Sequence, residues 1–305
     1  MRKSLSALLL STMLVGTNVA LVPQVFAKTT TTSIKSEAPG VAPQYDTTHV
    51  YVNPEDFDKF TDSLVATFGG TKSKQGVFQV TPTPSQTMSQ LVLTPVGTLS
   101  VFGFKTPIPY PFGLERTGYL VKDMDTAVQA AKANGADVIV DAFPDPIGRD
   151  AIVQWPGGVN MQLYWHTTKP NYNQLETVPE NRIYVSKQSA DSFVKKFVSF
   201  SHGKVVSDNP KAAGIEIGRP NDTYRRIRDE SDFGKMTVFV TNGHLPYPYG
   251  RDMTGYEVKN LSETLDKATK AGASVLVNAY KSDGRESAMV QFPGGYIAEI
   301  HASIK

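Results

Sequence analysis

The sequence predicts an α+β fold: four βαβββ modules arranged as two duplicated halves. Three observations predict it: an internal repeat, helical periodicity at four places, and strand runs separated by glycine-rich turns at matching spacings. Thr-Gly-Tyr-Leu-Val-Lys at 117–122 returns as Thr-Gly-Tyr-Glu-Val-Lys at 254–259. Between Thr117–Phe143 and Thr254–Tyr280, 11 of 27 positions are identical, where a chance self-comparison gives about one or two. Pro109-Tyr-Pro-Phe-Gly113 matches Pro246-Tyr-Pro-Tyr-Gly250, Gly148-Arg149 matches Gly284-Arg285, and Val153-Gln-Trp-Pro-Gly-Gly158 matches Val290-Gln-Phe-Pro-Gly-Gly295.

The chain has 305 residues. Residues 1–27 combine Arg2 and Lys3, a leucine-rich apolar run and a Val25-Phe26-Ala27 end. This is the pattern of a secretory signal peptide cut after Ala27, so the expected compartment is the periplasm, or the medium of a secreting cell. Removing those two basic residues leaves 29 Lys+Arg against 29 Asp+Glu, a neutral chain without the basic footprint of a nucleic-acid partner. No later apolar run reaches the length of a membrane span. The absence of cysteine excludes disulfides, thiol nucleophiles and thiolate metal sites.

Residues 28–44, with four threonines in a row, read as a disordered tether. In the first module, 45–113, His49–Val52 is a strand. Asn53 and Pro54 then open a helix with Phe57, Phe60, Leu64 and Phe68 on one face, stopped by Gly69-Gly70. In the second, 114–166, Asp123 caps a helix carrying Met124, Val128 and Ala131, and Gly135 ends it. Three strands follow, the last two (Ala151–Trp155 and Val159–Tyr164) joined by Pro-Gly-Gly. Residues 167–180 form a linker. The third module, 181–250, has the strand Arg182–Val185 and a helix with Phe193, Phe197 and Phe200. The fourth, 251–305, repeats the second, with Asn260 as cap and Gly272 as stop. The two halves are therefore 45–166 and 181–305.

Four βαβββ modules in two pairs resemble the vicinal oxygen chelate superfamily, which includes glyoxalase I, extradiol dioxygenases and the bleomycin-resistance proteins. The resemblance rests on the helix-Gly-Ala-strand blocks Ala131–Ala142 and Ala268–Ala279 and on the closing Pro293-Gly-Gly-x-x-x-Glu299. It implies paired modules around a small-molecule site, with a divalent metal held by His, Gln or Glu side chains. His49 falls where that pattern places a metal-binding His, and Glu299 where it places the last-strand Glu, which is also the candidate catalytic residue. Elsewhere the pattern departs: the corresponding positions are Arg116, Arg182, Met253 and Gln162. If consecutive modules pair, Glu299 is expected to meet Arg182, with no metal in the second half. If modules one and four pair, His49, Glu299 and His301 make a set suited to a divalent cation.

The resemblance leaves the cofactor open between one divalent metal ion and none. It leaves the function open among three readings: a glyoxalase-like lyase, isomerase or dioxygenase; a metal-free binding or sequestering protein; and a non-catalytic envelope protein. The candidate substrate-binding residues are Arg116, Gln162, Tyr164, Arg182, Tyr256 and His301; in the second reading Arg116, Arg182, Tyr119 and Tyr256 line a metal-free pocket. Arg149 and Arg285 read as loop-tip residues open to solvent or an anion. The Arg225, Arg226, Arg228 cluster, interleaved with acids, reads as a solvated face.

Overall fold

The computed structural model describes residues 37–113 and 116–304; the proposed signal peptide and most of the tether lie outside these. The first half contains β1 (Thr47–Tyr51), α1 (Phe57–Phe68), β2 (Thr71–Lys72), β3 (Gly76–Phe78), β4 (Thr87–Thr94) and β5 (Gly97–Phe104). It continues with β6 (Arg116–Leu120), α2 (Met124–Ala133), β7 (Asp137–Asp145), β8 (Gly148–Trp155) and β9 (Val159–His166). The second half contains β10 (Glu180–Ser186), α3 (Lys187–Ser201), β11 (Lys204–Ala213), β12 (Thr223–Ser231) and β13 (Gly234–Thr241). It ends with β14 (Met253–Glu257), α4 (Leu261–Lys270), β15 (Ser274–Ser282), β16 (Arg285–Gln291) and β17 (Ile297–Ser303).

Consecutive modules share a sheet. The first runs β2-β4-β5-β1-β6-β9-β8-β7 with β3 paired to β4, and the second runs β11-β12-β13-β10-β14-β17-β16-β15. The duplication is visible in the register. Gly118 pairs with Thr47 and Gln162, and Gly255 pairs with Glu180 and Glu299. His49 is thereby equivalent to Arg182, Gln162 to Glu299, and Tyr164 to His301.

Period-two alternation gives each strand one face toward the helices and one away from them. The helix-side faces build two cores, each drawn from both halves. Module one meets module four through Val50, Phe57, Phe60, Leu64, Tyr256, Leu261, Phe292 and Ile300. Module two meets module three through Tyr119, Met124, Trp155, Leu163, Ile183, Phe193, Phe197 and Phe200. The phenylalanines at helical spacing thus pack where expected. Asp123 and Asn260 accept hydrogen bonds from the backbone N–H of Thr126 and Glu263.

Three details depart from the sequence reading. Asn53 makes no side-chain capping bond; the chain enters α1 through a short 3-10 turn at Pro54–Asp56. The end of the expected tether is docked: Val41 N–H donates to Leu120 O, Lys122 N–H donates to Pro39 O, and Gly40 bridges Val121. It lies against the open backbone edge at the end of β6, and the fit is tight: the Phe233 ring stands 3.0 Å from where a Cβ on Gly40 would lie. Arg226 is buried rather than solvated, bonded to Glu216 and Asp283.

Candidate functional site

Each sheet carries polar side chains on the face away from the helices. In the first, His49 lies over Gly118, where an added Cβ would stand 2.1 Å from His49 Cε1, so only glycine leaves room for the ring. His49 Nδ1 is 3.2 Å from Thr47 O. A carbonyl only accepts, so Nδ1 carries the hydrogen and donates. Burial, and next the Arg116 charge, lower the imidazole to about 3. The ring is therefore neutral, with its lone pair on Nε2.

Beside it runs a buried polar chain. Arg116 donates from Nε and Nη2 to Gln162 Oε1 at 3.0 and 2.7 Å, and Gln162 Nε2 donates to Asp150 Oδ2 at 2.8 Å. Burial, reinforced by Asp145, raises the Asp150 carboxyl well above its ordinary value. His49, Asp150, Tyr164, Ser89, Ser100 and Tyr172 are among the residues that line a cavity of about 100 Å³. That is room for a ligand of a few heavy atoms, well below the span of drug-sized sites.

The second sheet carries charge instead. Arg182 Nη1 is 2.7 Å from Glu180 Oε1 and 3.7 Å from Glu299 Oε1, and its guanidinium lies 4.6 Å from the Phe239 ring centroid. Glu299 Oε2 is 2.8 Å from His301 Nδ1, and Arg285 Nη1 reaches Glu180 Oε2 at 3.1 Å. Burial alone would raise Glu299; Arg182, His301 and Arg285 outweigh it and hold the carboxyl at about 2. Ionised Glu299 only accepts, so His301 Nδ1 donates. An added Cβ on Gly255 would stand 2.7 Å from Glu299 Oε2, which makes this glycine the counterpart of Gly118.

The donor sets do not fit a divalent cation. A guanidinium stands at one of the expected metal-ligand positions in each sheet: Arg116 takes the Gln162 oxygen, and Arg182 stands beside Glu299. Among the described residues no three His, Cys, Asp or Glu side chains converge as a metal site. His49 and Glu299 are not brought together, because the modules share sheets consecutively and the helix-side cores lie between the two polar faces. Tyr256 and Tyr119, expected in a pocket, sit one residue out of phase with Gly255 and Gly118. They pack in the cores, Tyr256 against Phe68 and Tyr119 against Phe233.

Among solved structures, the chain is similar to a triple mutant of 4-hydroxymandelate synthase from Streptomyces coelicolor, with a TM-score of 0.57, 12% identity, and 87% of this chain and 93% of that one covered. It is similar to the 2,3-dioxygenase LapB from Pseudomonas sp. KL28, with a TM-score of 0.53, 11% identity, and 88% and 94% covered. The 2,2',3-trihydroxybiphenyl 1,2-dioxygenase from Sphingomonas wittichii RW1 gives a TM-score of 0.51, 9% identity, and 87% and 91% covered. This is the tandem vicinal oxygen chelate fold. Neither a family model nor a curated protein matches the sequence.

Within this vicinal oxygen chelate scaffold, several residues escaped sequence reasoning. Asp150 was legible in principle: the Pro-Gly-Gly hairpin fixes its register opposite Tyr164. Glu180 fell in the expected linker, and its counterpart, Thr47, gives no hint of a carboxylate. Arg285 points inward, only 14% exposed, whereas Arg149 points out and bonds Asp125.

Proposed function

We propose that the chain is an exported, metal-free binding protein for a small, uncharged, oxygen-bearing molecule held on the first sheet. The observation that carries this reading is the fixed guanidinium at an expected ligand position of each sheet, which repels a cation and, in the first sheet, takes up the Gln162 oxygen that would bind one. The first sheet's cavity suits an uncharged ligand: His49 offers a neutral acceptor, Asp150 a carboxyl whose hold on a proton burial strengthens, and Tyr164, Ser89 and Ser100 offer hydroxyls. The second sheet's charges compensate one another, so its role is to hold β10, β14, β16 and β17 together. Export rests on the Arg2–Ala27 pattern.

A second reading, metal-dependent dioxygenase-type chemistry, is favoured by the fold likeness and by the adjacency of Glu299 and His301. Titrating chelator-treated protein with hydroxyacetone, while following the His49 ring resonances, separates the two. The proposal expects a saturable shift that is the same with and without zinc. A shift that appears only when zinc is added would overturn it.

A further inference from the structure

The chain joining the two halves runs beside the His49 cavity and lends it one wall residue, Tyr172. Thr167 is tied down at one end, its N–H and hydroxyl both donating to Ile147 O at 3.0 and 2.8 Å. Glu176 is tied at the other, its N–H donating to Pro95 O at 2.7 Å and its carboxylate meeting Lys259 at 2.8 Å. Between these anchors Thr168, Lys169, Asn171, Asn173 and Gln174 are exposed. Tyr172 turns inward. Its ring lies 5.7 Å from that of Tyr45, its carbonyl accepts from Gln44 Nε2 at 3.3 Å, and its side chain lines the cavity with His49, Asp150 and Tyr164.

A segment fixed at both ends and held between them by one aromatic contact and one long hydrogen bond opens at low cost, because little buried surface is lost. The tyrosine side chain also forms part of the wall of that cavity of about 100 Å³. We propose that residues 168–175 form a lid over the His49 cavity, with Tyr172 as the side chain that closes it and limits ligand size. The inference rests on the first sheet being the ligand site, but its test needs neither ligand nor metal.

The chain has no cysteine, so one introduced thiol reports on one place. Ser100→Cys puts a thiol on the cavity wall, and Ser63→Cys puts one on buried α1, which reports general opening. Labelling by methyl methanethiosulfonate is compared with and without Tyr172→Ala. The expected result is a rise of about tenfold or more at position 100, no change at position 63, and a native rate for Tyr172→Phe. An unchanged rate at position 100, or an equal rise at both positions, would overturn the lid. Failure here would leave the metal-free binding reading standing, because that reading is tested by the zinc-independent titration.

Discussion

Two buried acids on the second sheet respond to their surroundings in opposite directions. Glu299 is surrounded by Arg182, His301 and Arg285, and its folded value of about 2 lies below the ordinary 4.5. A depressed carboxyl stabilises the fold above its unfolded value, and that contribution is lost as pH falls from about 4.5 toward 2. Asp229 on β12 is buried next to Glu230 and is pushed up to about 7 from 3.8. Its contribution runs the other way: fully present below about 4 and lost as pH rises through 7. Asp229→Asn is therefore expected to gain a few kcal/mol relative to native at pH 8 and little at pH 4. Urea unfolding at the two pH values checks this, and an equal effect at both would contradict it.

At the scale of elements, what was legible followed from periodicity. The four helices, their phenylalanine faces and the Pro-Gly-Gly hairpins were readable because spacing alone dictates them. The direction of Arg285 was not. The sequence aligns Gly284-Arg285 with Gly148-Arg149, yet the hairpin registers place Arg285 opposite Ser303 and Gly148 opposite His166. Arg285 is thus the counterpart of Gly148, and a one-residue offset sends a strand side chain to the opposite face. Likewise Tyr119 and Tyr256, expected to line a pocket of a metal-free binding protein, are turned into the cores by alternation from Gly118 and Gly255. The caps offer a direct comparison. Asp123→Ala removes a bond to Thr126 N–H and is expected to cost about 1 kcal/mol. Asn53→Ala removes none and should cost much less. Equal losses in denaturant unfolding would refute the distinction.

At the scale of the molecule, each core takes one module from each half, so the sheets are expected to unfold together. Both tryptophans, Trp155 and Trp165, lie in the first half, whereas Phe197 belongs to α3 in the second and packs against Trp155. Phe197→Ala should cost about 3–5 kcal/mol and move the tryptophan-fluorescence and circular-dichroism transitions by the same amount. Separated transitions would mean that the halves are independent. The central claim, that arginines have displaced the metal from this scaffold, also concerns both sheets at once. It is tested most directly by elemental mass spectrometry on protein produced with manganese, iron, cobalt and zinc supplied, alongside Glu299→Gln and His49→Ala. The account predicts metal far below one ion per chain in all three proteins. One ion per native chain, lost in either variant, would contradict it.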